Sequence, residues 1–263
     1  MKKLSGILAI MIVLTLSLAG CGGSDSKGGS TAKDEGSIPE TIVVGTNAEF
    51  APFEYVNDAG EVDGFDIALM KAVCDKLGVK MEVENMEFKS LLGSMQMESI
   101  DVIAAGMTVT EERLQSVDFT DEYYEAKQVI VVNKDSKVAG FSDLDGKAIA
   151  VQEGTTGDFL VSPEEEGALV KDATVKRMKK HIDGIMDLKN GGVDAVVVDK
   201  NPALEFVEND SSIKIVEDEA AVENYALAVH KGNKVLADAI NKALAELKED
   251  GTYDELIKTY IND

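Results

Sequence analysis

The sequence predicts an α/β fold built on two sheets, and two observations predict it. From residue 38 onward, short β-branched runs alternate with amphipathic helical stretches, and the alternation starts again in the second half of the chain. Alternation of this kind builds strand-helix-strand units, hence a largely parallel sheet covered on both faces. The restart implies a second sheet rather than a wider first one.

The first series has a strand at 41–45, a helix at 66–77, a strand at 80–84, a helix at 90–97 and a strand at 101–105. Within 66–77, Ile67, Met70, Val73, Cys74 and Leu77 fall on one helical face, so Cys74 is expected to be a core thiol and not a nucleophile. The second series has strands at 128–132, 147–151, 174–178 and 195–198, with helices near 155–160, 182–190 and 202–209. A strand at 225–229 and helices at 234–248 and 253–260 complete the chain. Asp250-Gly251-Thr252 separates those two helices, a C-cap glycine followed by a new cap. The pattern leaves open which sheet this tail joins.

The N-terminus reads as an export signal. Lys2 and Lys3 precede a mostly apolar run from Leu4 to Leu18, too short for a good permanent span, and Leu18-Ala19-Gly20-Cys21 closes it. That tetrapeptide resembles the bacterial lipobox, in which cleavage leaves the cysteine first and its sulfur carries a lipid. The expectation is a signal peptide at 1–20, a lipidated Cys21, and a flexible Gly/Ser tether at 21–37 with nothing apolar to bury.

Removing residues 1–20 from the 263 leaves 243, enough for two modest domains, and 44% of the chain is hydrophobic, as in globular proteins. The formal charge of −23 becomes −25 once Lys2 and Lys3 are gone. Phosphate backbones and anionic lipid surfaces repel such a body, so nucleic acid is not an expected partner. With Cys21 lipidated, Cys74 has no partner for a disulfide, and two isolated histidines, His181 and His230, give no support to a zinc site. No cofactor is expected: the stretch from Gly140 to Ala148 misses the P-loop spacing and its hydroxyl, and no G-x-G-x-x-G occurs.

The chemistry concentrates at strand ends. In Ala104-Ala105-Gly106-Met107-Thr108, a buried strand ends at small residues, followed by the Thr108 hydroxyl and, five residues on, Arg113. The chain has only Arg113 and Arg177 against 24 lysines, and an arginine in a strand-end loop suggests a need for its planar two-pronged donor, as for a carboxylate. An ion pair with Glu111 or Asp118 is the alternative. The loop after the first strand carries Asn47, Glu49 and Phe50; ligands of open α/β sheets bind at the carboxyl ends of strands, so this loop and the Gly106 loop should share a crevice. Phe50 and Phe88 are candidate pocket walls or core residues. Gln152-Glu153-Gly154-Thr155-Thr156-Gly157 passes from strand to helix, where terminal amides can hold a carboxylate. Asp199 ends a strand and either meets an ammonium group or caps the next helix.

These stretches together resemble the family 3 solute-binding proteins, extracytoplasmic receptors for polar amino acids in ATP-driven importers. The resemblance runs through Val44-Gly45-Thr46, Pro52-Phe53-Glu54, Gly64-Phe65-Asp66, Asp101 to Arg113, Val117-Asp118-Phe119-Thr120, Asp145-Gly146-Lys147, Gly154-Thr155-Thr156-Gly157, Gly192 to Asp199, and Asp250-Gly251-Thr252-Tyr253. Ala68 and Glu122 depart from it, replacing a frequent aspartate and a frequent proline. The resemblance implies a two-lobed, type II periplasmic-binding-protein-like fold with a ligand cleft between lobes joined by two crossing strands. Lobe 1 would be 38–125 with 224–263, and lobe 2 would be 126–223. Arg113, Thr108 and the Gly106 amide, beside Ala105, would bind a ligand α-carboxylate, with Thr155 or Thr156 donating from the other lobe. Asp199 would take the α-ammonium, and Phe50 and Phe88 would sandwich the side chain.

The expected function is capture of a free L-amino acid by a lipid-anchored, monomeric receptor outside the cytoplasmic membrane, with delivery to the permease of an ABC importer and no reaction. Closure would hinge near 124–128 and 223–225. Asn47, Gln152 and, if it faces inward rather than to solvent, Glu49 would line the side-chain end, favouring arginine or lysine and then glutamine. Rival readings are a small-carboxylate dehydratase on the same scaffold and a ligand-sensing module for a separate membrane partner.

Overall fold

The computed structural model describes residues 38–208 and 210–261. The expected signal peptide, Cys21 and the tether lie outside the described residues. Among the described residues, no helix is long and apolar enough to cross a membrane.

The elements follow in chain order. Strand β1 (Thr41–Thr46) leads into β2 (Glu49–Phe50), β3 (Glu54–Val56) and β4 (Val62–Asp63), then helix α1 (Phe65–Leu77), β5 (Lys80–Asn85), a 3-10 turn at Phe88–Ser90 and α2 (Leu91–Gln96). Next come β6 (Val102–Ile103), α3 (Glu111–Leu114), β7 (Val117–Phe119) and the long β8 (Tyr124–Asn133). After a 3-10 turn at Phe141–Leu144 stand β9 (Ala148–Gln152), α4 (Thr156–Val161), β10 (Thr174–Met178), α5 (His181–Lys189), β11 (Ala195–Asp199) and α6 (Lys200–Glu208). The chain returns through β12 (Ile213–Tyr225) to β13 (Ala228–His230), α7 (Lys234–Glu249) and α8 (Thr252–Tyr260).

Two five-stranded sheets result, in the orders β5-β1-β6-β13-β7 and β10-β9-β11-β8-β12, as the two series of strands predict. In the first, β5, β1 and β6 are parallel and β13 runs antiparallel to both β6 and β7. In the second, β10, β9 and β11 are parallel, with β8 and β12 added antiparallel. Helices cover both faces. Ile42, Val44 and Val102 pack with Leu69 and Val73 of α1 and with Leu236 and Ile240 of α7, while Leu91, Met95, Ile100 and Ile103 fill the opposite side. Cys74 belongs to this core at 2% exposure, and burial pushes its thiol up to about 11, against nucleophilic use.

The tail joins the first sheet through β13, and α7 and α8 pack on α1. The strand expected at 225–229 is two strands in two sheets. Tyr225 pairs with Tyr124 at the end of β12, whereas Ala228 pairs with Ile103 and Phe119, so the chain changes sheets at Ala226 and Leu227. The strand expected at 101–105 is cut to Val102–Ile103, because the chain bends away to Gly106, whose φ is +51°. A small antiparallel sheet, β2-β3-β4, escaped the pattern, its strands being two or three residues long.

The chain passes between the two sheets along β8 and β12, which pair side by side at Tyr124↔Tyr225, Glu125↔Asn224, Ala126↔Glu223 and Lys127↔Val222. An aromatic cluster packs there. Phe53 lies 5.0 Å from Tyr124, 5.2 Å from Tyr225, 5.8 Å from Phe50 and 6.3 Å from Phe65, ring centre to ring centre. Truncating a fully buried phenylalanine costs about 3–5 kcal/mol, so Phe53 strongly fixes the β2-β3 hairpin beside the crossing strands.

Candidate functional site

The carboxyl ends of β1 and β6 and those of β9 and β11 face one cavity. Asn47, Phe50, Phe88, Ala105, Gly106, Thr108 and Arg113 line it from the side of the first sheet, and Gln152, Thr155, Thr156 and Asp199 from the side of the second. The space left between them is about 10 Å³, that of roughly one water molecule, so a larger ligand enters only as the two sides part.

Arg113 is 4% exposed in the four-residue helix α3, where Thr110 accepts its backbone N–H at 3.2 Å as the N-cap. Its guanidinium donates Nη1–H to the Thr108 carbonyl at 2.7 Å and Nη2–H to the Gly154 carbonyl at 3.1 Å, and lies 5.5 Å over the Phe88 ring. Burial lowers its pKa to about 10, which leaves it cationic at neutral pH. Asp118, one partner considered for Arg113, instead takes Lys231 Nζ at 2.6 Å, and Arg177 is spent on Asp158 and Glu164.

Asp199 ends β11 at 5% exposure and accepts the Tyr225 hydroxyl. Burial, helped by Glu223, pushes its carboxyl up to about 7, because the charged form loses water and meets a like charge. Of the buried carboxyl groups, those of Glu223 and Asp199 lie near enough to Arg113 to favour its cation, and Glu54 lines the same cavity. The site is poor in positive charge.

Several sequence-based roles need correction. Gly106 is held at the cavity, but its amide N–H donates to Asp66 Oδ2 at 2.8 Å and is not free for a ligand. Tyr123 Oη donates to the same oxygen at 2.6 Å, so Asp66, at the start of α1, ties down the Gly106 loop. The Thr155 hydroxyl donates to the Gln152 carbonyl at 2.8 Å and accepts from Asp158 N–H at 3.3 Å, acting as the N-cap of α4. The Thr156 hydroxyl donates to Glu223 Oε2 at 2.9 Å and that of Thr108 to the same oxygen at 2.6 Å. Neither the Thr155 nor the Thr156 hydroxyl therefore offers its proton to the cavity, a result that concerns these hydroxyls and not the backbone amides at the start of α4.

Glu49 does not line the cavity. It precedes Phe50 on β2, and successive strand residues face opposite ways, so turning Phe50 inward turns Glu49 out, where it pairs with Lys180 Nζ at 2.5 Å. Besides Asp199, the acid that does line it is Glu54, which follows Phe53 and opens β3. Glu54 is 1% exposed and, among the described residues, neither of its carboxylate oxygens has a hydrogen-bond partner. Burial first, then Asp66 and Asp199, raises its pKa well above the usual range. Gln152 Nε2 donates to Asn47 Oδ1 at 2.8 Å, so these two amides stand together as expected. Phe50 and Phe88 both reach the cavity; Phe50 also lies 5.6 Å from the buried His181 ring, whose two nitrogens have no hydrogen-bond partner among the described residues and whose pKa burial lowers to about 3.

Comparison with known proteins gives this geometry a context. The chain is 33% identical over 264 residues to a probable histidine-binding protein of Neisseria gonorrhoeae, covering 99% of this chain and 96% of that one. It is 30% identical over 258 residues to the arginine-binding extracellular protein ArtP of Bacillus subtilis, covering 97% and 96%. An ancestral arginine-binding protein solved bound to arginine is 42% identical, with a TM-score of 0.79 over 86% of this chain and 100% of its own. Such likeness supports the two-lobed type II fold, with the cavity between the lobes. The family model described as bacterial extracellular solute-binding proteins, family 3, matches residues 42–263, and the chain belongs to that family.

Proposed function

We propose that the protein captures one free L-amino acid with a cationic side chain, arginine or lysine, between its two lobes and hands it to the permease of an ABC importer. The observation that carries the choice of ligand is Glu54, a carboxylate almost without exposure, with no hydrogen-bond partner among the described residues, lining the same cavity as Arg113 and Asp199. A lone buried carboxylate is costly, and a cation placed against it removes the cost. A second carboxylate there would add to it. The ligand α-carboxylate would meet the Arg113 guanidinium, whose five N–H groups exceed the two given to the Thr108 and Gly154 carbonyls. Its α-ammonium would meet Asp199, and its methylenes would lie along Phe50 and Phe88.

Glutamine is the second reading, since Asn47 and Gln152 suit a side-chain amide when Glu54 is protonated. The reading is one of binding without chemistry. In a cell, a lipid on Cys21 would anchor the protein outside the cytoplasmic membrane, and Cys21→Ser should abolish lipid labelling.

Calorimetric titration of the mature chain against the common amino acids, after unfolding and refolding to remove any carried ligand, tests the function. Tightest binding of arginine or lysine is expected. Tightest binding of aspartate or glutamate would overturn the reading.

A further inference from the structure

One oxygen of Glu223 gathers groups from both lobes. Its Oε2 accepts from Thr108 Oγ1 at 2.6 Å, from Thr156 Oγ1 at 2.9 Å and from Gln128 Nε2 at 3.5 Å. Thr108 follows β6 of the first sheet, Thr156 opens α4 beside the second, and Glu223 stands on β12, opposite Ala126 on the other crossing strand. Glu223 itself is 9% exposed and does not line the cavity, whereas both threonines do.

A hydroxyl has one proton and two lone pairs. Once that proton points at Glu223, only acceptor capacity remains. Thr156 gives one lone pair to Gln128 Nε2 at 3.2 Å, and Gln128 lies close enough to Asp199 to favour its charged form. The hydroxyl oxygens of Thr108 and Thr156 thus lie in one cluster with two carboxylates. A group of acceptors suits a cation and not a carboxylate.

We propose that Glu223 is a positioning residue for the α-ammonium of the ligand: by holding the protons of Thr108 and Thr156, it turns their hydroxyl oxygens into acceptors beside Asp199. The proposal rests on the amino-acid reading above and deepens it. It also reassigns Thr108, whose hydroxyl belongs to the ammonium end of the site instead of the carboxylate end. Glu223 would act without touching the ligand, through the direction in which two hydroxyls point.

The test compares arginine with 5-guanidinopentanoic acid, the same molecule without its α-amino group, by calorimetry on the mature chain. Glu223→Leu removes the single oxygen that accepts from both threonines, so neither hydroxyl proton is held there. Losing a hydrogen bond to a charged group is worth roughly 10- to 100-fold, so arginine should weaken by that factor. The deamino analogue should change less than about threefold, because its carboxylate and guanidinium meet other residues. Thr108→Val removes the acceptor oxygen directly, keeps the Glu223 side chain in place, and should give the same selective loss; it stands in if Glu223→Leu does not fold. Equal weakening of both ligands would show that Glu223 acts on lobe closure alone and would overturn the proposal. Failure of the unsubstituted protein to bind either compound would instead remove the amino-acid reading.

Discussion

Gln152 Nε2 donates to Asn47 Oδ1 at 2.8 Å, joining two buried amides 105 residues apart in the chain. Asn47 follows the last residue of β1, and Gln152 is the last residue of β9, so the bond ties the carboxyl end of an interior strand in one sheet to that in the other. Open α/β sheets place ligands at these ends. Here two such ends are brought face to face, and the cavity exists only where they meet. Arg113 makes the same crossing when its Nη2 reaches the Gly154 carbonyl. Binding and closure are therefore one event, since a ligand touching both sides gains its full contacts only in the closed arrangement.

Glu54→Gln should separate cationic from neutral ligands. The substitution removes a buried charge while nearly keeping shape, so arginine and lysine should lose about 2–5 kcal/mol of affinity, as when one member of a buried charge pair is removed. Glutamine should change little. The melting temperature of the unliganded variant should change little, because a buried amide replaces a carboxyl group that burial already favours in its protonated form. Calorimetry and thermal melts read both effects. Equal affinity changes for arginine and glutamine would withdraw Glu54 as the side-chain partner.

Proton linkage gives a second expectation. Asp199 is raised to about 7 and Asp66 to about 6, both chiefly by burial, while an unfolded aspartate titrates near about 3.9. Between those values the folded state binds more protons than the unfolded one, so without ligand these groups make stability fall as pH rises through that window, with no further loss above about 7. An ammonium at Asp199 favours its charged form and expels its proton. Arginine affinity should therefore rise from pH 5 to 7.5, with proton release visible as a dependence of the calorimetric enthalpy on the ionisation enthalpy of the buffer. Asp199→Asn should remove part of that release, the rest coming from Glu54 as the arginine side chain favours its charged form, and release unchanged in this variant would show that Asp199 supplies no proton.

The two sheets were legible because β-branched runs and helical faces are local and repeat. Arg113 was legible because arginine is scarce in a lysine-rich chain and stands in a strand-end loop. Glu54 was named only within a family motif: its strand has three residues, too few for alternation to reveal that it faces inward. For Thr108 and Thr156, location was readable but not chemistry, since the direction of each hydroxyl is set by Glu223, 115 and 67 residues further on. The Gly106 amide fails in the same way, its partner Asp66 lying 40 residues back. Hydrogen bonds between distant segments leave no mark on local pattern.

Gly106→Ala should damage the site without adding or removing charge. At φ +51° a side chain is strained, and a Cβ placed there would lie 2.7 Å from Phe50 Cε1, closer than carbon atoms pack. The backbone strain and the displaced ring should cost roughly 1–3 kcal/mol of stability. Affinity should fall as well, since both Gly106 and Phe50 line the cavity. A melting temperature and an affinity both within error of the original would show that the loop relaxes freely.

Three ion pairs cross the rim of the cleft, and they predict a salt effect on closure. Lys180 meets Glu49 at 2.5 Å, Lys179 meets Glu87 at 2.6 Å and Lys89 meets Glu153 at 2.6 Å, each joining the first sheet's side to the second's. All are exposed to solvent, so each pair is weak and is screened at high ionic strength. Because they form only on closing, Glu49→Gln should weaken arginine and glutamine by the same small factor, roughly two- to fivefold. A selective loss of arginine would instead place Glu49 at the ligand side chain. Glu49→Lys should weaken both ligands further, and adding Lys180→Glu should recover most of the loss by restoring opposite charges across the rim. If the double substitution binds no better than Glu49→Lys alone, these charges do not hold the lobes together.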